Sequence, residues 1–139
     1  MFEGWGSARY VLVIFLSALA EFAGRGLAER WGVTLSTNPG VAFGLFGGAP
    51  VFAVILSGFA LTLLAGCVFR MKGLKNKTRL ALSLMAGGAA ANFASRLIQG
   101  AVTDWIPLPF SSAFFHGGLR FNLADLEIAF GAAWALWSW

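Results

Sequence analysis

Carboxylates are scarce in this sequence, six Asp and Glu among 139 residues, so any that falls within an apolar stretch is a candidate for chemistry. Asp125 follows Phe121-Asn122-Leu123-Ala124 and leads into an apolar run ending at Trp139. A carboxylate one turn inside an apolar helix is costly to keep charged. That is also the condition for holding a proton or activating water. Asn122, three residues earlier, shares its helix face. The competing reading is structural, with Asp125 neutralised by Arg96 or Arg120. A second group, Asn92, Ser95, Arg96 and Gln99, is spaced for one face of a helix. A third, Glu21 and Arg25, stands four apart and stacks as an ion pair that braces its own helix. Glu127, two positions beyond Asp125, points away from it and reads as a packing residue. Cys67 is the only cysteine and cannot form an internal disulfide. No Cys/His cluster offers ligand spacing, so neither metal nor cofactor is expected.

The elements that position these groups follow from composition. The chain is 58% hydrophobic and 12% charged, with a mean hydropathy of +0.76, against roughly 25% charged in an ordinary soluble domain. A soluble fold of this size cannot hide so much apolar surface, which excludes a cytosolic enzyme and a disordered tail. The expectation is a single integral membrane domain over residues 1–139. Four stretches approach the roughly 20 apolar residues that a spanning helix needs: Tyr10 to Leu27, Pro50 to Phe69, Leu80 to Gln99 and Phe121 to Trp139. Arg9 ahead of the first run, with Ala18-Leu19-Ala20 within it, also imitates a cleavable signal sequence. A spanning helix is preferred, because cleavage there would discard Glu21.

Five of the ten Lys and Arg lie together as Arg70, Lys72, Lys75, Lys77 and Arg79, with no acid among them. Short basic loops stay in the cytoplasm, and this one can also meet anionic lipid head groups. Nucleic-acid binding is not expected, because the basic residues form no extended face. Both termini then lie inside, and residues 28–49 and 100–120 lie outside. Those outer segments are rich in Gly, Pro, Ser and Thr, and Gly32 to Thr37 alternates as a strand does. Trp105, Ile106, Leu108 and Phe110 are expected to rest on the outer leaflet. Ala86 to Ala91, all Gly and Ala, would let the third helix pack closely on its neighbours.

Four ordered blocks resemble lipoprotein signal peptidase, the signal peptidase II family of bacterial membrane aspartic peptidases. They are Glu21 to Arg25, where the family has Asp and Lys; Asn38-Pro39-Gly40-Val41-Ala42-Phe43-Gly44; Asn92 to Arg96 with the following Gly100 to Trp105; and Phe121-Asn122-Leu123-Ala124-Asp125. The resemblance implies an all-α membrane fold of four transmembrane helices with a small extracytoplasmic β-cradle, in the bacterial inner membrane, with the active site at the outer face. It implies cleavage of lipidated prolipoprotein substrates just before the lipid-bearing cysteine, by two aspartates sharing a water. Asp125 matches one of them. Asn38, Gly40, Phe43, Asn92, Arg96, Asp104 and Asn122 match positions that support the site or line the substrate's path.

The resemblance puts the second aspartate in an Asn-x-x-Asp-Arg block, and there this chain has Ser95. A serine cannot serve as base near neutral pH, and the dyad chemistry needs two carboxylates of which one ionises. Three explanations stand: an inactive relative that still binds lipoproteins, an active enzyme in which Asp104 serves instead, or an engineered substitution. A small four-helix multidrug exporter, which also carries a glutamate in its first helix, is a more distant alternative.

Overall fold

The computed structural model describes residues 3–40 and 45–139. Four helices dominate: α1 (Glu3–Arg30), α2 (Pro50–Arg70), α3 (Asn76–Gln99) and α4 (Leu123–Ser138). Strands β1 (Ser36–Asn38), β2 (Val102–Asp104), β3 (Ile106–Pro107) and β4 (Arg120–Phe121) fill the segments between α1 and α2 and between α3 and α4. α1 and α2 are long and apolar enough to cross a membrane. α2 opens on Pro50, whose missing N–H costs nothing in a first turn. At its other end Arg79 donates to the carbonyls of Val68 (2.5 Å) and Met71 (2.9 Å), closing a terminus that lacks helical partners. α3 stops at Gly100, which takes the left-handed conformation (φ 74°) that favours glycine.

α3 is the central helix, packed against α1, α2 and α4. The small residues predicted to pack closely do so: a Cβ on Gly88 would come 2.5 Å from the Ala124 carbonyl of α4, and one on Gly87 would collide with Ser17 of α1. Small and polar residues fill the interior. Asn122, Thr78 and Ser83 are among the largest fully buried side chains, while Phe15 and Leu19 of α1 and Val51, Ile55 and Phe59 of α2 are about half exposed or more. A fold that turns large apolar side chains outward is suited to lipid.

The outer segments form two small antiparallel sheets, β1 on β2 and β3 on β4. Ser36 pairs with Asp104 and Asn38 with Val102, while Ile106 pairs with Phe121. The strand expected from Gly32 to Thr37 is thus shorter and displaced, because pairing with β2 fixes it at Ser36–Asn38. α1 runs past its apolar core at both ends, since hydropathy marks the apolar part of a helix and not its caps. Leu108 and Phe110 are exposed as expected, but Trp105 is not a surface tip. Its ring lies over Gly24, where a Cβ would stand 2.8 Å from it.

Candidate functional site

The site is built at the end of the bundle where β1 and β2 meet the start of α4. Asn122 and Asp125 begin α4 as a reciprocal cap. The Asn122 side chain accepts from the Asp125 backbone N–H at 2.8 Å, and the Asp125 carboxylate accepts from the Asn122 N–H at 3.3 Å. This is why α4 starts at Leu123, two residues later than the apolar run suggests. The other carboxylate oxygen of Asp125 accepts from the Asn92 amide at 3.0 Å. The Asn122 amide, buried at 1% exposure, donates to Asn92 Oδ1 (2.9 Å) and to Asp104 Oδ1 (3.2 Å). Two carboxylates from β2 and α4 are therefore joined through two asparagines.

Asp104 and Asp125 line one cavity of about 770 Å³, together with Asn38, Asn92, Arg96 and Arg120 and an apolar wall including Leu56, Ala60 and Ile128. Burial, and next the charge of Asp125, push the Asp104 carboxyl up from its ordinary 3.8 to about 7, against a hydrogen bond from Asn38 that lowers it. Neither Arg96 nor Arg120 neutralises Asp125 by contact. Arg96 is buried and clamps the Gly40 carbonyl with Nε (3.2 Å) and Nη2 (2.7 Å), staying within electrostatic reach of both aspartates. Arg120 holds the Thr34 carbonyl at 2.8 Å. Asn38 Oδ1 accepts from the Gly40 N–H at 3.0 Å, tightening the same turn. Phe43, predicted to line the path, lies outside the described residues with the rest of positions 41–44.

The structure places two groups differently from the expectation. Ser95, placed by the resemblance at the second aspartate, is buried but does not line the cavity. Ala89, Asn92 and Arg96 form the cavity face of α3. Ser95 is instead on the helix line of Gly88, seven residues earlier, which packs on α4. Nor do Glu21 and Arg25 make contact as a pair: among the described residues the ion pair within 4.0 Å is Arg25 with Glu29, at 3.7 Å. Arg25 also reaches Gln99 and keeps only a longer-range attraction to Glu21.

Glu21 has better partners from far along the chain. One oxygen accepts from Trp105 Nε1 at 3.1 Å, and the other from the N–H groups of Leu123 (2.7 Å) and Ala124 (3.3 Å). Unpaired N–H groups and a positive dipole end make a helix start a good seat for a carboxylate. Glu21 thus ties α1 to the residue after Asp104 and to the turn bearing Asp125. Sequence reasoning singled it out but gave it a local partner. Glu127 does not line the cavity, and one of its carboxylate oxygens is buried without a hydrogen-bond partner among the described residues.

Residues 11–139 match the sequence family described as signal peptidase (SPase) II. The chain belongs to the signal peptidase II family. It is 33% identical over 102 residues to a lipoprotein signal peptidase of Solibacter usitatus, and 35% identical over 103 residues to one of Cellvibrio japonicus. Those alignments take in 70% and 71% of this chain but only 60% and 59% of the relatives, so the chain spans somewhat over half their length. With the lipoprotein signal peptidase of Burkholderia mallei the identity is 33% over 127 residues, covering 86% of this chain and 72% of the relative. The fold is that of a bacterial membrane enzyme solved by the in meso method at 2.3 Å, with a TM-score of 0.68 at 22% identity over 98% of this chain and 87% of that one. A second such enzyme, solved at 1.9 Å, gives 0.66 at 21% identity, over 98% and 92% of the two chains.

Proposed function

We propose that this chain is a lipoprotein signal peptidase in which Asp104 and Asp125 form the aspartic dyad. The observation that carries it is the placing of both carboxylates on one cavity wall, joined through Asn122 and Asn92, with Asp104 pushed up to about 7 by burial and by Asp125. Near neutral pH such a pair holds one proton between two acids. A water between them would lose a proton to Asp125 as its oxygen attacks the scissile carbonyl. Asp104 would supply the proton to the carbonyl oxygen; on collapse Asp125 would pass the proton it took from water to the leaving amine, while Asp104 takes one back from the hydroxyl as the carbonyl re-forms. Asn92 and Asn122 hold the carboxylates in place, and Arg96 fixes the Gly40 turn over them. Ser95 needs no role in this chemistry, so its lack of a carboxyl does not count against activity.

The substrate in this reading is a diacylglyceryl-modified prolipoprotein, drawn from the bacterial inner membrane and cut before the lipidated cysteine. The apolar cavity wall of Leu56, Ala60, Ile128 and Ala129 suits an apolar segment arriving from lipid. All four helices cross the membrane, with both termini and the basic loop inside and the sheets outside. For α3 and α4, which carry the asparagines and Asp125, the bundle supplies what apolarity alone does not.

Purified protein in lipid, mixed with a lipidated prolipoprotein and followed by gel shift, tests this. Wild type and Ser95→Ala should cleave, while Asp104→Asn and Asp125→Asn should not. Cleavage that survives Asp104→Asn would remove Asp104 from the dyad. Binding without cleavage by the wild type would make the chain an inactive lipoprotein-binding relative.

A further inference from the structure

The end of the bundle opposite the aspartates carries a second concavity, of about 580 Å³, between the start of α3 and the end of α4. Lys75, Lys77, Trp134, Trp137 and Ser138 line it. Lys77 to Asn92 is fifteen residues of one helix, about 22 Å at 1.5 Å per residue, so the two cavities are separate and lie toward opposite ends of the bundle.

The cations around this hollow differ in what already holds them. Arg79 is committed to the end of α2, and Arg9 donates to Tyr10 and Asn76. Lys72, Lys75 and Lys77 are exposed, and among the described residues no Asp or Glu carboxylate lies within 4.0 Å of them. Lys75 donates to the backbone oxygen of Trp139, the last residue of the sequence, at 2.5 Å, which uses one of an ammonium's three protons. The Thr78 hydroxyl bonds to Ser138 at 3.0 Å and fixes the floor where the two helices meet. Trp137 is 91% exposed and Trp139 71%. Indole rings facing outward at a helix end belong at a lipid–water boundary, and basic pockets between helices at that level take anionic head groups.

We propose that this hollow binds the phosphate group of an anionic phospholipid, with Lys75 and Lys77 as its cationic contacts and Trp134 and Trp137 against the glycerol and the upper acyl chain. The ligand chemistry is a phosphate ester; its source is the surrounding bilayer, not free phosphate. The site stands apart from the peptidase reading, since it uses the other end of the bundle and its readout is not cleavage.

Native mass spectrometry of the full chain in detergent, titrated with phosphatidylglycerol or phosphatidylcholine, reads it directly. One phosphatidylglycerol should be retained and phosphatidylcholine lost. Lys75→Gln with Lys77→Gln should weaken retention about 30-fold, at roughly the strength expected for two surface cations. Lys77→Gln alone, which leaves the Lys75–Trp139 contact in place, should weaken it about fivefold. Lys72→Gln removes a charge from the same loop outside the hollow and should cost less than about twofold. Equal retention of both lipids overturns the proposal. So does a Lys72→Gln loss as large as that at Lys77, because the attraction would then be diffuse. Displacement of the lipid by inorganic phosphate alone would assign the lysines to the free ion and overturn the lipid site.

Discussion

The two ends of this bundle use charge in opposite ways. At one end Glu21, Asp104 and Arg96 are buried, each held by hydrogen bonds from or to other elements. At the other, Lys72, Lys75 and Lys77 stand exposed with no Asp or Glu within 4.0 Å among the described residues. Buried charge persists only where dipoles and partners are built for it, so it marks positions fixed to fractions of an ångström. Exposed charge is cheap and loosely placed, and acts through its sum. Substitutions at the first end should therefore act one by one and strongly, and those at the second in aggregate.

The sharpest break of that contrast comes from the aspartates. Asp125→Asn and Asp104→Asn should each lower cleavage by roughly a hundred- to ten-thousand-fold, the range for losing a positioned acid or base. Glu21→Gln should come next. The amide keeps the length but has one accepting oxygen, so either the α4 start or the Trp105 indole loses its partner. Hydrogen bonds to charged groups are worth about 1.5–3 kcal/mol. A fall of roughly ten- to a hundred-fold in kcat, with KM little changed, would mark Glu21 as a positioning residue. A KM effect alone would place it with substrate binding.

Two glycines extend the comparison to packing. Gly88→Ala drives a methyl to 2.5 Å from the Ala124 carbonyl, beside Asp125, and should cost about 1–3 kcal/mol by overpacking. Gly66, near the basic end of α2, has open space where a methyl would stand, with nothing within 4 Å. Its replacement by Ala should stabilise by up to about 1 kcal/mol through helix propensity. Thermal unfolding of the pair checks both, and a loss at Gly66 equal to that at Gly88 would erase the distinction.

The Asp104 carboxyl gives a pH test. It is ordinary at 3.8 when exposed and about 7 when folded, so between those values the folded chain holds a proton that the unfolded chain has released. Raising pH across that window therefore favours unfolding, and the slope levels off above about 7. Asp104→Asn should lose this slope and out-last the wild type increasingly from about pH 4 to about pH 7. Wild-type cleavage should also decline above about pH 7, as the acid member of the pair is spent. A thermal melting series that keeps the same slope in Asp104→Asn would show that another group titrates.

How much of this was written in the sequence depends on the distance over which each feature is decided. Pro50 and Gln99 bound their helices as expected, because Pro at a first turn and Gly100 after a last one are local signals. Asn122 with Asp125 is also local, a cap within three residues. The partners of Glu21 were not legible: Arg25 was the obvious neighbour at i+4, but Leu123 lies 102 residues away and Trp105 lies 84. Helix-start N–H groups satisfy a buried carboxylate without adding a second charge to be desolvated, and no spacing rule reveals that. Asp104 was legible as a family match and as the outer aspartate that could serve where Ser95 stands, but its partners were not. Its facing Asp125 depends on β2 pairing with β1 and on the reach of Asn122.

The finest test is the position where expectation and structure part. Ser95 sits about 60° around α3 from Asn92 at 100° per residue, away from the cavity and toward α4, and is 5% exposed. Ser95→Ala removes one hydroxyl and leaves a methyl of nearly the same size. With no place on the cavity wall, it should change cleavage by less than about twofold, which sits within the surface-level scatter expected of substitutions that break no named interaction. A loss approaching that of Asp104→Asn would return Ser95 to the chemistry. It would also mean that the α3 face toward α4, and not only the cavity face, is read by the substrate.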